Sequence, residues 1–205
     1  MKKTLAITFS ALFLFLCLFG CKATEQLKET INSTITRGTI SGNVYSSEFT
    51  GITFTKPDHW RYYTDEEIAQ NMDVAMEAME ADKFAQTVAE LSTVFDMVAV
   101  NEATGQNLNI CYENLTLTAG KIISEEEYYE QRKENLTALG YESSSEKEYV
   151  TLSGAEYLKV SFTSTNNGID INSTVYLRLT GKFMTCITVT CPKGIIQQNL
   201  EDMFS

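Results

Sequence analysis

The chain has 205 residues with 27 acidic against 16 basic side chains, a formal net charge of −11. A surface this acidic repels phosphates and anionic headgroups, and no Lys/Arg cluster offers a local exception, so nucleic acid is excluded as an expected partner. Five cysteines are too few for a disulfide-dense scaffold, and a single histidine limits any imidazole chemistry to one position.

Met1-Lys2-Lys3 precede an apolar run from Leu5 to Phe19 that only Thr8 and Ser10 interrupt. The run is shorter than the ~20 apolar residues of a membrane span, and it has the basic start, apolar middle and small-residue end of an export signal. Its last four residues, Leu18-Phe19-Gly20-Cys21, resemble the bacterial lipobox. The resemblance implies that residues 1–20 are a signal peptide and that the Cys21 sulfur carries a diacylglycerol. The mature chain would then be held by lipid on the extracytoplasmic face of the cell membrane. Residues 21–42 are polar, Thr-rich and poor in aromatics, and read as the lipidated N-terminus and a flexible tether reaching about 25 Å. Within it, Leu27, Ile31 and Ile35 recur at helical spacing. Cys111, Cys186 and Cys191 remain after Cys17 leaves and Cys21 is acylated, so at least one thiol is unpaired. Cys186 and Cys191 are too far apart along an extended strand for a disulfide unless the chain turns between them, since the bond needs Cα atoms within about 7 Å.

Residues 43–205 read as one domain. A hairpin is expected around "VYSSEFTGITF", with Thr50-Gly51 near the turn, and Pro57 ends its second strand. Thr64-Asp65-Glu66-Glu67 is a capping box opening a helix with Ile68, Met72, Ala75, Met76 and Met79 on one face. The stripe shifts at residues 80–83 and resumes with Phe84, Val88 and Leu91, predicting a bend or break. Strands follow at about 93–101 and 106–115, then a second capping box at Ser124–Glu127. The helix it opens aligns Tyr128, Arg132, Leu136 and Leu139 and stops at Gly140. Strands near 144–151, 154–164, 170–179 and 182–190 come next, with a hairpin turn at Asn167-Gly168, and a short last helix groups Ile196, Leu200 and Met203. The order ββ-α-ββ-α-ββββ-α predicts an α+β fold: an antiparallel sheet sandwiched by helices, α/β/α.

The residues Phe49, Gly51, Ile52, Phe54, Pro57 and Trp60, the "TDEE" helix start, "TGQNLNI" and "ISEEEYYEQ" together resemble the PsbP-like (Mog/PsbP) fold, and best its small lipoprotein members in Gram-positive bacteria. The resemblance covers roughly residues 43–205 and rests on structural motifs. It implies the same α/β/α sandwich, and it carries no established activity, photosystem role or GTPase partner to this chain.

Candidate chemistry is sparse. His59, between Asp58 and Trp60, would have to serve any Ser-His-Asp or Cys-His scheme, and no positioned partner is signposted. Cys186 and Cys191 need Cys111 and His59 to complete a zinc tetrahedron, and these lie on separate elements without a paired motif, so no metal or other cofactor is expected. The acidic runs 65–67 and 125–127 sit in first turns of helices, where carboxylates complement the helix dipole. One pattern is less bland. Asn107, Asn109, Cys111 and Glu113 alternate onto one face of their strand, as do Asp170, Asn172, Thr174, Tyr176 and Arg178 on theirs. Such faces are usually turned to solvent. Left open by the helices, a polar sheet face with Asn109, Glu113, Asn172, Tyr176 and Arg178 would be a shallow recognition surface. The expected function is a non-catalytic binding or scaffolding role at the cell envelope, for an unidentified envelope protein or ligand. An envelope-acting enzyme using His59 and a small solute-binding lipoprotein are the alternatives.

Overall fold

The computed structural model describes residues 35–166, 168–195 and 200–205. The expected signal peptide 1–20, Cys21 and the expected tether as far as residue 34 lie outside the described residues. The folded part begins earlier than residue 43: Ile35 is buried and Arg37 clasps Asp65 through two hydrogen bonds of 2.6 and 2.7 Å. Strand β1 (Thr39–Ser41) then pairs with β2 (Val44–Ser46), and β2 with β3 (Thr53–Thr55), in a small antiparallel sheet.

The large sheet has eight antiparallel strands: β4 (Arg61–Tyr62), β5 (Thr93–Asn101), β6 (Gln106–Asn114), β7 (Glu142–Ser143), β8 (Glu148–Leu152), β9 (Ala155–Asn166), β10 (Ile169–Thr180) and β11 (Phe183–Pro192). Their spatial order is β4-β5-β6-β11-β10-β9-β7, with β8 also on β9. Turn chemistry sets the hairpins. Ser153 and Gly154 both take positive φ (48° and 77°), as a two-residue loop of the I′ kind requires.

The Thr64 cap forms as expected, its hydroxyl accepting from the Glu67 amide while Glu67 accepts from the Thr64 amide. Helix α1 (Asp65–Met72) ends where Asp73 turns left-handed, and a 3₁₀ turn (Met76–Met79) leads into α2 (Ala81–Glu90). The expected break therefore spans several residues ahead of Ala81. A short α3 (Leu115–Thr118) precedes α4 (Glu125–Ala138). Ser124 caps α4 from one side only: its hydroxyl accepts from the Glu127 amide, while the Glu127 carboxylate turns to Lys121. At the other end Gly140 adopts φ 84°, and Tyr141 N–H reaches back to the Leu136 carbonyl. Of the expected last helix, residues 196–199 lie outside the described residues; a 3₁₀ turn at Leu200–Met203 precedes Phe204, which bridges to Phe54.

Neighbouring residues of β6 show why the sheet is the middle layer. Tyr112 packs edge-on against Phe84 of α2, with ring centroids 6.2 Å apart. Glu113, pointing the opposite way, pairs with Arg132 of α4. Helices thus cover opposite faces, the α/β/α arrangement, and the small sheet shares the α2 face. A β-bulge between Phe95 and Met97 turns Asp96 onto that face. There Asp96 accepts from the hydroxyls of Tyr45 (2.6 Å) and Tyr112 (2.8 Å) and from the Gly38 amide (3.0 Å). Central strands β5, β6 and β11 are buried along nearly their whole length, apolar burial on both sides being the main stabilising contribution.

Candidate functional site

In an antiparallel pair, directly opposed residues point to the same face. On the α4 face this places four rows side by side. Val100, Asn107, Thr190, Ser173 and Phe162 form one; Val98, Asn109, Thr188, Val175 and Val160 the next; Phe95, Cys111, Cys186, Leu177 and Leu158 the third; and Thr93, Glu113, Met184 and Leu179 the fourth. The polar residues of β6 therefore meet the threonines of β11 inside the domain.

Glu113 is completely buried, and Arg132 is its ionic partner at 11 % side-chain exposure. The Arg132 guanidinium lies over the Tyr128 ring, 5.0 Å from its centroid. Burial raises the Glu113 carboxyl above its usual value, against the pull of Arg132. Burial likewise holds the Tyr128 phenol well above its ordinary range. Cys111 and Cys186 are opposed on the third row, and Cys186 with burial pushes the Cys111 thiol well up, so it is no thiolate nucleophile at neutral pH. All three described cysteines are free and buried.

Farther along β6 the polar groups lose their partners. Asn107 Nδ2 donates to the Gly105 carbonyl at 3.4 Å, but its Oδ1 accepts nothing. Asn109, 1 % exposed, has neither amide atom hydrogen-bonded, and Thr190 Oγ1, opposite Asn107, is unpartnered as well. Buried polar groups are hydrogen-bonded in the great majority of folded proteins, so these open atoms stand out in the interior. One row beyond, past Ser173 and Phe162, a cleft of about 330 Å³ opens between Gly140, Glu142, Ser164, Ile171, Asn172 and Lys193.

The residues singled out in the sequence do not form one surface. Asn109 and Glu113 lie on the α4 face, whereas Asn172, Tyr176 and Arg178 lie on the other, because β10 enters the register one residue out of phase with that grouping. Nor are these faces turned to solvent: both are covered, and only Asn172 is exposed, at the cleft just described. Arg178 donates to the Thr50 carbonyl at 2.9 Å and lies over the Tyr157 ring, a packing role. Tyr176 is buried beside Lys159, and burial pushes its phenol up to about 12. His59 is exposed on the rim of a separate cleft of about 470 Å³ with Trp60, Arg61, Asn101 and Glu102, and Trp60 itself packs into the core. Among the described residues, no three His, Cys, Asp or Glu side chains group closely enough to hold a metal ion, and no helix is long and apolar enough to cross a membrane. Sequence reasoning missed Arg132 as the partner of Glu113. Its signal was a charged residue inside the apolar stripe Tyr128–Leu136.

No protein-family model matches the chain, and no curated protein does either. Solved structures similar to it include a Bacteroides thetaiotaomicron protein, at 12% identity and a TM-score of 0.42, over 82% of this chain and 46% of that one. The chain therefore spans less than half the length of that protein. LpqN, described as involved in cell envelope biogenesis of Mycobacterium tuberculosis, is similar at 11% identity and a TM-score of 0.38 over 69% of each chain. The Ran-binding protein Mog1p of Saccharomyces cerevisiae is similar at 14% identity and a TM-score of 0.38, over 77% of this chain and 78% of its own. Mog1/PsbP-like folds are thus among the structures this chain is similar to, and at this distance none lends it an activity.

Proposed function

We propose that this chain is a lipid-anchored, extracytoplasmic domain with a non-catalytic binding or scaffolding role at the cell envelope. The anchor is Cys21, read from Leu18-Phe19-Gly20-Cys21. The observation that carries the binding role is the cluster of open polar groups at Asn107, Asn109 and Thr190. It lies beside an ion pair that is already neutral and a Cys111 thiol held well above its ordinary range, a setting suited to holding a ligand and poorly suited to attacking one. The histidine on which an enzyme reading depends lines the other cleft.

Mass spectrometry of the mature protein tests the anchor. It should find the new N-terminus at Cys21 carrying diacylglycerol, and Cys21→Ser should release the protein from the membrane fraction. A free terminus at Ala23 or later would overturn this reading. Proximity labelling from the anchored protein in its own cells tests the binding role, which predicts enrichment of a reproducible envelope neighbour that Cys21→Ser loses.

A further inference from the structure

Three polar side chains stand in one row at the corner of the large sheet. Glu142 of β7 is opposed to Thr163 of β9, and Thr163 to Asn172 of β10, so all three point to the face away from α4. Neighbouring strands lie about 4.8 Å apart, which sets a carboxylate, a hydroxyl and a carboxamide side by side over roughly 10 Å. All three line the cleft of about 330 Å³, and Glu142 and Asn172 are exposed there. Among the described residues, no hydrogen bond or ion pair engages the side chain of Glu142, Thr163 or Asn172.

The next row of the same face is already satisfied. Asp170 accepts from the Thr165 hydroxyl at 2.8 Å and from the Lys193 ammonium at 3.0 Å, and the Lys193 amide donates to the Asp170 carbonyl at 2.8 Å. That row forms a fixed, charge-balanced wall and leaves Glu142 as the uncompensated charge of the cleft. A carboxylate only accepts, so a ligand must bring it a donor, and a charged N–H bonds it about twice as strongly as a neutral one. An anion meets both Glu142 and a net charge of −11. Thr163 and Asn172 can each donate and accept, which suits hydroxyl groups. The volume is at the small end for ligand sites, room for a single ring, and buried Ile171 gives the lining an apolar part.

We propose that this cleft binds an amino sugar, with the ammonium on Glu142 and the ring hydroxyls on Thr163 and Asn172. The proposal goes beyond the binding role above: its site is the open cleft, apart from the buried Asn107, Asn109 and Thr190, and either can fail without the other.

The test uses the whole purified protein at about pH 6, where an amine is charged and a carboxylate ionised. The probes are glucosamine, glucose, which lacks the ammonium, and N-acetylglucosamine, in which it is masked. Saturation-transfer NMR and calorimetry should show glucosamine bound at least tenfold more tightly than the other two. Glu142→Gln should abolish that preference, and Asn172→Ala should weaken glucosamine at least threefold. Both positions are exposed, so neither change should move the thermal midpoint. His59→Ala, in the separate cleft, should leave binding within twofold. Equal affinity for glucosamine and glucose would overturn the amine assignment. Glucosamine binding that ignores both Glu142→Gln and Asn172→Ala would place the site elsewhere and overturn the proposal, as would no binding of any probe. The envelope role is judged separately, by acylation of Cys21 and by the labelled neighbour.

Discussion

Tyr45 and Asp96 lie 51 positions apart in the chain and share a 2.6 Å hydrogen bond in the interior, from the phenol to Oδ2. It fastens the small sheet to the large one at the bulge of β5. Burial raises the Asp96 carboxyl above its usual value, against the pull of Tyr45, Tyr112, the Gly38 amide and Arg37. A carboxyl raised in this way holds its proton more tightly when folded than when unfolded. Its contribution to stability is fully present below the unfolded value of about 3.9 and is lost as pH rises through the folded one. Asp96→Asn cannot titrate, so urea unfolding should show wild type ahead by a margin that narrows as pH rises above about 4. A margin that widens over that range would contradict the assignment.

Gly38 allows this bond. A Cβ at residue 38 would lie 2.2 Å from Tyr45 Cε2 and 2.5 Å from its hydroxyl, so Tyr45 would have to leave Asp96. Gly38→Ala should therefore cost roughly 2–4 kcal/mol, overpacking together with a lost hydrogen bond to a charged group. Gly154→Ala meets nothing within 4 Å and only strains a φ of 77°. Its cost should stay near 1 kcal/mol. Equal losses by chemical denaturation would refute the steric account.

Removing one member of the Glu113–Arg132 pair strands the other. Arg132→Met leaves a fully buried carboxylate without its cation and should cost about 3–5 kcal/mol. Adding Glu113→Gln should recover a large part of that loss, giving a coupling energy above about 1 kcal/mol in the double-mutant cycle. Additive losses would mean that the two side chains do not support one another.

Asp73 offers stability in the opposite direction. It ends α1 with φ 54°, a conformation that costs an ordinary residue and not glycine, and its charge faces the negative end of the helix dipole. Asp73→Gly should raise the thermal midpoint, by an amount equivalent to about 0.5–1 kcal/mol. Asp73→Asn should give the smaller part that comes from charge alone.

The elements with local signatures were legible in advance. Thr64-x-x-Glu67, Ser124 with Glu127, Gly140 and the alternation of β6 and β10 each encode their structure within a few residues. What escaped was set by partners far along the chain. Strand β1 has three residues and little alternation of its own, and it exists because β2 and Asp96 accept it. Period two told which residues of β6 share a face and which of β10 do, but only pairing through β11 relates one strand's phase to the other's. That is why Asn109 and Asn172 could be grouped in the sequence and separate in space. The unpartnered atoms of Asn107, Asn109 and Thr190 belong to the same category, being visible only once both faces are seen to be covered.

The strand order has a consequence for how the domain comes into being. β6 is flanked by β5, its hairpin neighbour, and by β11, whose residues 183–192 follow it only after α3, α4 and four further strands. Until those residues arrive, the first hairpin keeps an open edge, and the Glu113–Arg132 side of the core lacks its Met184 and Cys186 neighbours. Contacts that span so much chain are slow to form and leave sticky intermediates behind them. A chain made from its N-terminus thus carries an unfinished sheet until residues 183–192 emerge. Of the described strands, the one that closes it is the one that emerges after all the others.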